Sequence, residues 1–203
     1  MHSSRPSLDA FTLIELLVVI VIIAILMGLA FPAFQAVQNQ AKKTQAKNDL
    51  VQIVSAVNAF YTEYGKYPLP ATAASDADAT FGPSGNTNAT LFGALLGSTN
   101  ALNTRQIVFL SPPDAKDQSN PRNGIQTSTG QYFDPWGMAY AIRIDWDYDN
   151  QVTNPYSQNA GSAQLRNGVI AWSFGKDKQS QSLPGPASDK NGTDEKDDVI
   201  SWQ

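Results

Sequence analysis

The chain has 203 residues, 42% of them hydrophobic, and a formal net charge of −4, which is material for one moderate globular domain beside an apolar segment. It has no cysteine, and its one histidine is His2; a disulfide framework, thiolate zinc sites and thiol nucleophiles are excluded, and histidine chemistry goes too if the N-terminus is removed. Mild acidity with scattered charge gives no reason to expect nucleic acid as a partner.

The first element is the run from Phe11 to Phe31, FTLIELLVVIVIIAILMGLAF. As a helix it is about 31 Å long, enough to span a bilayer core. Its one charge is Glu15. A carboxylate at the centre of a spanning helix costs about 2.5–3.5 kcal/mol, so it calls for a partner or a purpose. Three readings compete for this segment: a cleaved secretory signal ending at Gly28-Leu29-Ala30, a plain signal anchor, and a segment processed on its cytoplasmic side. Arg5 is offset by Asp9, and an acid lies inside the apolar core, so the flanks argue against the secretory signal. For Glu15 itself the alternative is an acid snorkelling near the helix end. Pro32 removes one helical hydrogen bond and is expected to bend or break the helix, as a kink at the membrane exit or as a functional hinge.

The block Phe11-Thr12-Leu13-Ile14-Glu15-Leu16-Leu17-Val18-Val19-Ile20 closely resembles the N-terminus of type IV pilins and type II secretion pseudopilins. The resemblance implies that a prepilin peptidase cuts between Ala10 and Phe11 and methylates the new amine, giving an N-methylphenylalanine. The family usually has Gly where this chain has Ala10. It further implies that Glu15 pairs with the Phe11 amine of a neighbouring subunit, so that two membrane-buried charges neutralise each other only on assembly. Pro32 stands where family members commonly carry a proline and where the helix is thought to loosen in filaments.

From Ala33 to Tyr64 there is no Gly or Pro, and Val37, Ala41, Leu50, Ile53, Val54, Val57, Phe60, Tyr61 and Tyr64 recur at helical spacing, so the helix is predicted to continue. Gly65 ends it as a left-handed cap, and Pro68 prevents its return. A continuous helix over 11–64 would be a rod of about 80 Å. Lys42, Lys43 and Lys47 read as a solvated face, free of the domain or near anionic headgroups. Tyr61-Thr62-Glu63-Tyr64-Gly65-Lys66-Tyr67-Pro68 is similar to the end of this helix in major pseudopilins; read from the residues, aromatics pack under the first loop and the turn redirects the chain. Residues 69–131 are rich in Ala, Ser, Thr, Asn, Gly and Pro. Only 91–96 is predicted helical there, and no chemistry is assigned.

Asp134-Pro135-Trp136-Gly137 marks a turn, Met138 to Ile144 alternates as a half-buried strand, and a second strand is predicted over Gly168 to Phe174. The Asp-Pro-Trp-Gly-x-x-Tyr run again resembles the major pseudopilin. Asp145, Asp147 and Asp149 have the spacing that opens an EF-hand loop, but Asn150 stands where that loop needs Gly and Tyr156 where it needs Glu. This run reads as a solvated strand edge or as a weak cation site. At the end, acids at both sides of a polar loop, Asp177 and then Asp194 to Asp198, suit a calcium ion with its about six to eight oxygen ligands, or form a solvated acidic tail. The pattern Ser-x-Gly-x-Asp, loop, Asp-Asp-aliphatic-x-x-Trp resembles the calcium loop of the major pseudopilin. That resemblance implies Asp177, Asp197 and Asp198 as side-chain ligands, with Lys178 standing where the family usually has Gly.

The expected fold is α+β: a long N-terminal helix whose second half packs on a small antiparallel sheet. The expected organisation is a cleaved leader over 1–10, a transmembrane and filament-core helix over 11–34, and a globular domain over 35–203. The resemblance implies a non-enzymatic subunit of a type II secretion pseudopilus. Its partners would be copies of itself in a helical homopolymer, the prepilin peptidase, other pseudopilins and the inner-membrane secretion platform. Its place would be the bacterial inner membrane, single-pass, with the C-terminal domain in the periplasm. The alternatives are a type IV pilin of a surface fibre for adhesion or motility and a membrane-anchored extracytoplasmic enzyme or binding protein.

Overall fold

A computed structural model describes residues 12–69, 78–83, 86–98, 101–156, 158–178, 189–192 and 196–203. Ala10 and Phe11, the expected processing residues, and Asp194 lie outside the described residues. The chain divides into two units, Met1–Ala41 and Lys42–Gln203. Helix α1, Leu13–Tyr64, contributes to both.

In the first unit α1 is a single helix whose large apolar side chains face outward, from Leu13 at 82% exposed to Val37 at 66%. Among the described residues no helix is long and apolar enough to cross a membrane. The sequence itself stays apolar from Leu16 to Phe31. Of the bend or break expected at Pro32, the break does not occur, because α1 continues through it. The missing N–H removes one backbone bond in a ladder of 52 residues. Leu26, Met27 and Ala30 before it and Gln35 and Ala36 after it are good helix formers that carry the helix across the gap.

In the second unit the end of α1 falls where the sequence places it. Gly65 adopts φ +65° and donates its N–H to the Tyr61 carbonyl at 2.8 Å, the left-handed cap that a side chain would strain. Among the described residues eight short strands follow: β1 Ala79–Phe81, β2 Gly124–Gln126, β3 Gln131–Phe133, β4 Ala141–Ile144, β5 Val152–Thr153, β6 Gln164–Leu165, β7 Val169–Ser173 and β8 Val199–Ile200, with helix α2, Ala89–Leu95, after β1. The principal sheet has the order β1-β4-β7-β8 and is antiparallel throughout. β2 with β3 and β5 with β6 form two-stranded ribbons. The architecture is therefore α+β, as expected.

The sheet is covered on both faces. On one side Leu50, Ile53, Val57 and Phe60 of α1 join Ile142, Ile144 and Ala171 in one buried cluster that also takes in Leu91, Phe92 and Leu95 of α2. On the other, Tyr156, Trp172, Phe174 and Ile200 form a second. This explains why β4 lacks the alternation of a half-buried strand: Ala141, Ile142 and Ile144 are all buried, and only Arg143 is partly exposed. Arg143 spends its charge beneath the surface, donating to Thr80 Oγ1 at 2.9 Å and to the Thr153 carbonyl at 2.7 Å.

Lys47 corrects the reading of the helix lysines as a solvated face. Its half-buried ammonium donates to the carbonyls of Ile200 at 2.8 Å and Ser201 at 3.3 Å, and to that of Gln203. The chain leaving β8 loses its sheet partners, so its carbonyls need a donor, and the ammonium serves several at once. Two residues along, Asp49 is 4% exposed and accepts from Tyr140 Oη and Gln45 Nε2, each at 2.8 Å. Burial pushes this carboxyl above its ordinary range, with the hydrogen bonds opposing.

Candidate functional site

Two places carry the functional expectations. At the start of α1, Thr12 and Glu15 form a capping box. The Thr12 N–H donates to Glu15 Oε2 at 2.9 Å, the Thr12 hydroxyl donates to the same oxygen at 2.6 Å, and the Glu15 N–H returns a bond to Thr12 Oγ1 at 3.3 Å. The string Thr-x-x-Glu is the sequence signature of that motif, and reading Glu15 only as a membrane acid misses it. The carboxylate thus satisfies its own helix terminus. Pro32, also expected to serve assembly, lies within α1.

The second place lies where β7 leaves the sheet and β8 enters it. Asp177, Asp197 and Asp198, chosen from the sequence, come together with one carboxylate oxygen of each within 4.8 Å of the others. Each is set by a different device. Asp177 sits on the turn after β7, where Gly175 at φ +67° passes so close to the incoming chain that a Cβ would fall 2.5 Å from the Asp197 carbonyl oxygen. Asp197 Oδ2 accepts the backbone N–H of Asp177 at 3.0 Å and that of Lys176. Lys178, where the resemblance expects Gly, takes φ 58°, a conformation that costs an L-residue about 1–2 kcal/mol.

Asp198 is the interior member, 6% exposed. Its Oδ2 accepts the hydroxyl of Tyr156 at 2.6 Å, and its Oδ1 is buried with no hydrogen-bond partner among the described residues. Burial pushes the carboxyl up to about 8, an effect the Tyr156 bond and the Lys190 charge oppose and the neighbouring Asp197 and Asp177 add to. An unsatisfied buried carboxylate oxygen costs about 1–3 kcal/mol or more and invites a cation. Lys43, Lys176 and Lys196 line the mouth of this site together with Asp177 and Asp197, around a cavity of about 470 Å³.

The site is braced from beneath. Asp134, fully buried, accepts the N–H groups of Trp136, Gly137 and Met138 on Oδ1 at 2.8–2.9 Å, and the Ser173 hydroxyl on Oδ2 at 2.6 Å. Ser173 Oγ in turn accepts the Gly175 N–H at 3.2 Å. The Asp-Pro-Trp-Gly turn and the Ser-x-Gly-x-Asp turn, read separately in the sequence, are thus one hydrogen-bonded unit. Their link joins residues 39 positions apart, beyond any local pattern.

The run Asp145-Asp147-Asp149 divides: Asp147 and Asp149 are exposed, as on a solvated edge, and Asp145 is not. Asp145 is 2% exposed and lies on no solvated edge; its two oxygens accept the N–H groups of Asp149 at 3.1 Å and Asn150 at 2.9 Å. The group of three acids here is Asp78, Asp145 and Asp147, and Asp149 is not part of it. Asp78 Oδ2 accepts the Thr153 N–H at 2.7 Å. Tyr156, which spoils the EF-hand template, is the partner of Asp198 instead.

Comparison with known proteins gives one match: the model of the prokaryotic N-terminal methylation motif covers residues 9–31. No curated protein matches the chain, and no solved structure does.

Proposed function

We propose that this chain is a non-enzymatic filament subunit of the pseudopilin kind, anchored in the bacterial inner membrane by its N-terminal helix and polymerising to support protein export. The observation that carries the reading is the methylation motif over residues 9–31, heading a helix whose described large apolar side chains from Leu13 to Val37 are exposed. A helix so exposed needs lipid or neighbouring subunits to bury it. In this reading prepilin peptidase cleaves after Ala10 and methylates Phe11, Glu15 exchanges its Thr12 cap for the Phe11 amine of the next subunit, and the globular unit faces the periplasm beside other pseudopilins and the secretion platform. A type IV pilin of a surface fibre would share the cleavage, the methylation and the pairing of Glu15 with the next subunit's amine.

The pseudopilin reading draws its own support from the acid site. Three carboxylates converge, one buried oxygen is orphaned, and Gly175 leaves no room for a side chain beside Asp197. Asp177, Asp197 and Asp198 would hold a calcium ion, with backbone carbonyls and water as further ligands. Bound calcium would give the buried Asp198 oxygen a partner and close the loop between Asp177 and Asp197.

The test is coexpression with a prepilin peptidase and an inner-membrane secretion platform. Mass spectrometry should find a chain starting at N-methylated Phe11, and electron microscopy should find filaments that Glu15→Ala abolishes. An unprocessed chain, or a processed chain active as a monomer, would overturn the reading. Short periplasmic filaments favour the pseudopilus and long surface fibres the pilus.

A further inference from the structure

We infer that Tyr156 is a positioning residue for the cation site, and that through it the loop between β5 and β6 is fastened when the ion binds. The inference rests on the calcium reading above. It starts from the division of labour within one carboxylate: the Tyr156 hydroxyl takes Asp198 Oδ2 at 2.6 Å and leaves Oδ1 buried and unpartnered. A phenol on one oxygen fixes the carboxylate plane, so the other is presented in one orientation rather than sampling several. The ring is itself immobile, being fully buried and 6.0 Å from the Trp202 ring.

Tyr156 is held in turn by the loop it belongs to. Its N–H donates to Asn154 Oδ1 at 3.0 Å, and Asn154 Nδ2 donates to the carbonyls of Ala160 at 3.0 Å and Ser162 at 2.9 Å. The Trp202 indole donates to the same Ala160 carbonyl at 2.7 Å. On the outer side Asn159 Nδ2 donates to Asp189 Oδ1 at 2.7 Å, and the Lys190 N–H donates to the Gln158 carbonyl at 3.0 Å. The β5–β6 loop therefore touches the ion site on one flank and residues 189 and 190 on the other. An ion on Asp198 pulls on both through a single phenol. The departure from the EF-hand pattern at Tyr156 is thus part of a different cation site.

The experiment is calcium titration of the detergent-solubilised full chain by calorimetry, with melting temperature in chelator as the control for folding. Tyr156→Phe removes the hydroxyl and keeps the ring, and calcium affinity should fall at least about tenfold, as for other groups that orient metal ligands. Met138→Ala loosens the same aromatic cluster without touching the hydroxyl; it should lower the melting temperature in chelator and leave the calcium affinity within about twofold. Equal weakening by both variants would show that packing, not positioning, is at work and would overturn the inference. So would unchanged affinity in Tyr156→Phe. If the unaltered chain binds no calcium, it is the ion site itself that fails. A second measurement needs no variant: calcium should slow amide exchange across 154–163 as well as at the acids, and protection confined to the acids would overturn the coupling.

Discussion

Asp145 and Asp198 are both buried carboxylates beside a strand of the principal sheet, each with two further acids in reach, yet their hydrogen bonding differs. Asp145 has both oxygens satisfied by backbone N–H groups of the turn that follows it. Asp198 has one oxygen on a phenol and the other on nothing. A carboxylate that closes its own turn is structural; one left half satisfied needs something from outside. Counting acids does not separate the two clusters, whereas accounting for every lone pair does.

The largest expected effect divides them by calcium. At a hundredfold excess over its dissociation constant the ion should stabilise the detergent-solubilised chain by about 2.7 kcal/mol. That is roughly 5–10 °C in melting temperature for a domain of this size, and Asp198→Ala should abolish the shift. A shift that survives in Asp198→Ala and disappears in Asp147→Ala would reverse the comparison. Next is Asp145→Ala, which strands two turn N–H groups and should cost about 1–3 kcal/mol equally in calcium and in chelator, read by chemical denaturation.

Asp49 sharpens the contrast with a third solution, a carboxyl held by Tyr140 and Gln45 and raised by burial. The folded chain keeps that proton to higher pH than the unfolded chain. The stabilising contribution is therefore complete below the ordinary carboxylate value near about 4 and is lost as pH rises through the raised folded value. Denaturation of the chain and of Asp49→Asn between pH 4 and 7 should show the variant's disadvantage shrinking with rising pH; a growing disadvantage would mean that the carboxylate is charged when folded. The smallest effect belongs to Lys178. Replacing this left-handed residue by Gly relieves about 1–2 kcal/mol of backbone strain and returns about 0.5–1 kcal/mol in chain entropy. Stability should rise by less than about 1 kcal/mol, with calcium affinity unchanged.

Much of this was legible beforehand, and the reasons are particular. The end of α1 is written in Gly65 and Pro68, and the strands near 141–144 and 169–173 in short apolar runs bounded by turn residues. That acids stand at the two ends of one loop was legible from the residues, and the choice of Asp177, Asp197 and Asp198 among them came from the resemblance; the fold brings these three together. Tyr156 was not, because its partner is 42 positions away and its only sequence signal was failure to fit a template. Lys47 looked like any solvated lysine, and nothing local announces that Ile200 and Ser201 will need a donor there.

By itself, then, the sequence determined what depends on neighbours along the chain: the apolar helix with one acid, its capping box, its stop, and the composition that excludes cysteine chemistry. Those features are set by backbone conformation and transfer from water, which act over a few residues. Tertiary structure alone decided which acid is sealed and which is left wanting. The bond of Asp134 to Ser173, that of Tyr156 to Asp198 and that of Lys47 to the chain beyond β8 each join residues far apart in sequence, and only a packed core brings them within hydrogen-bond reach.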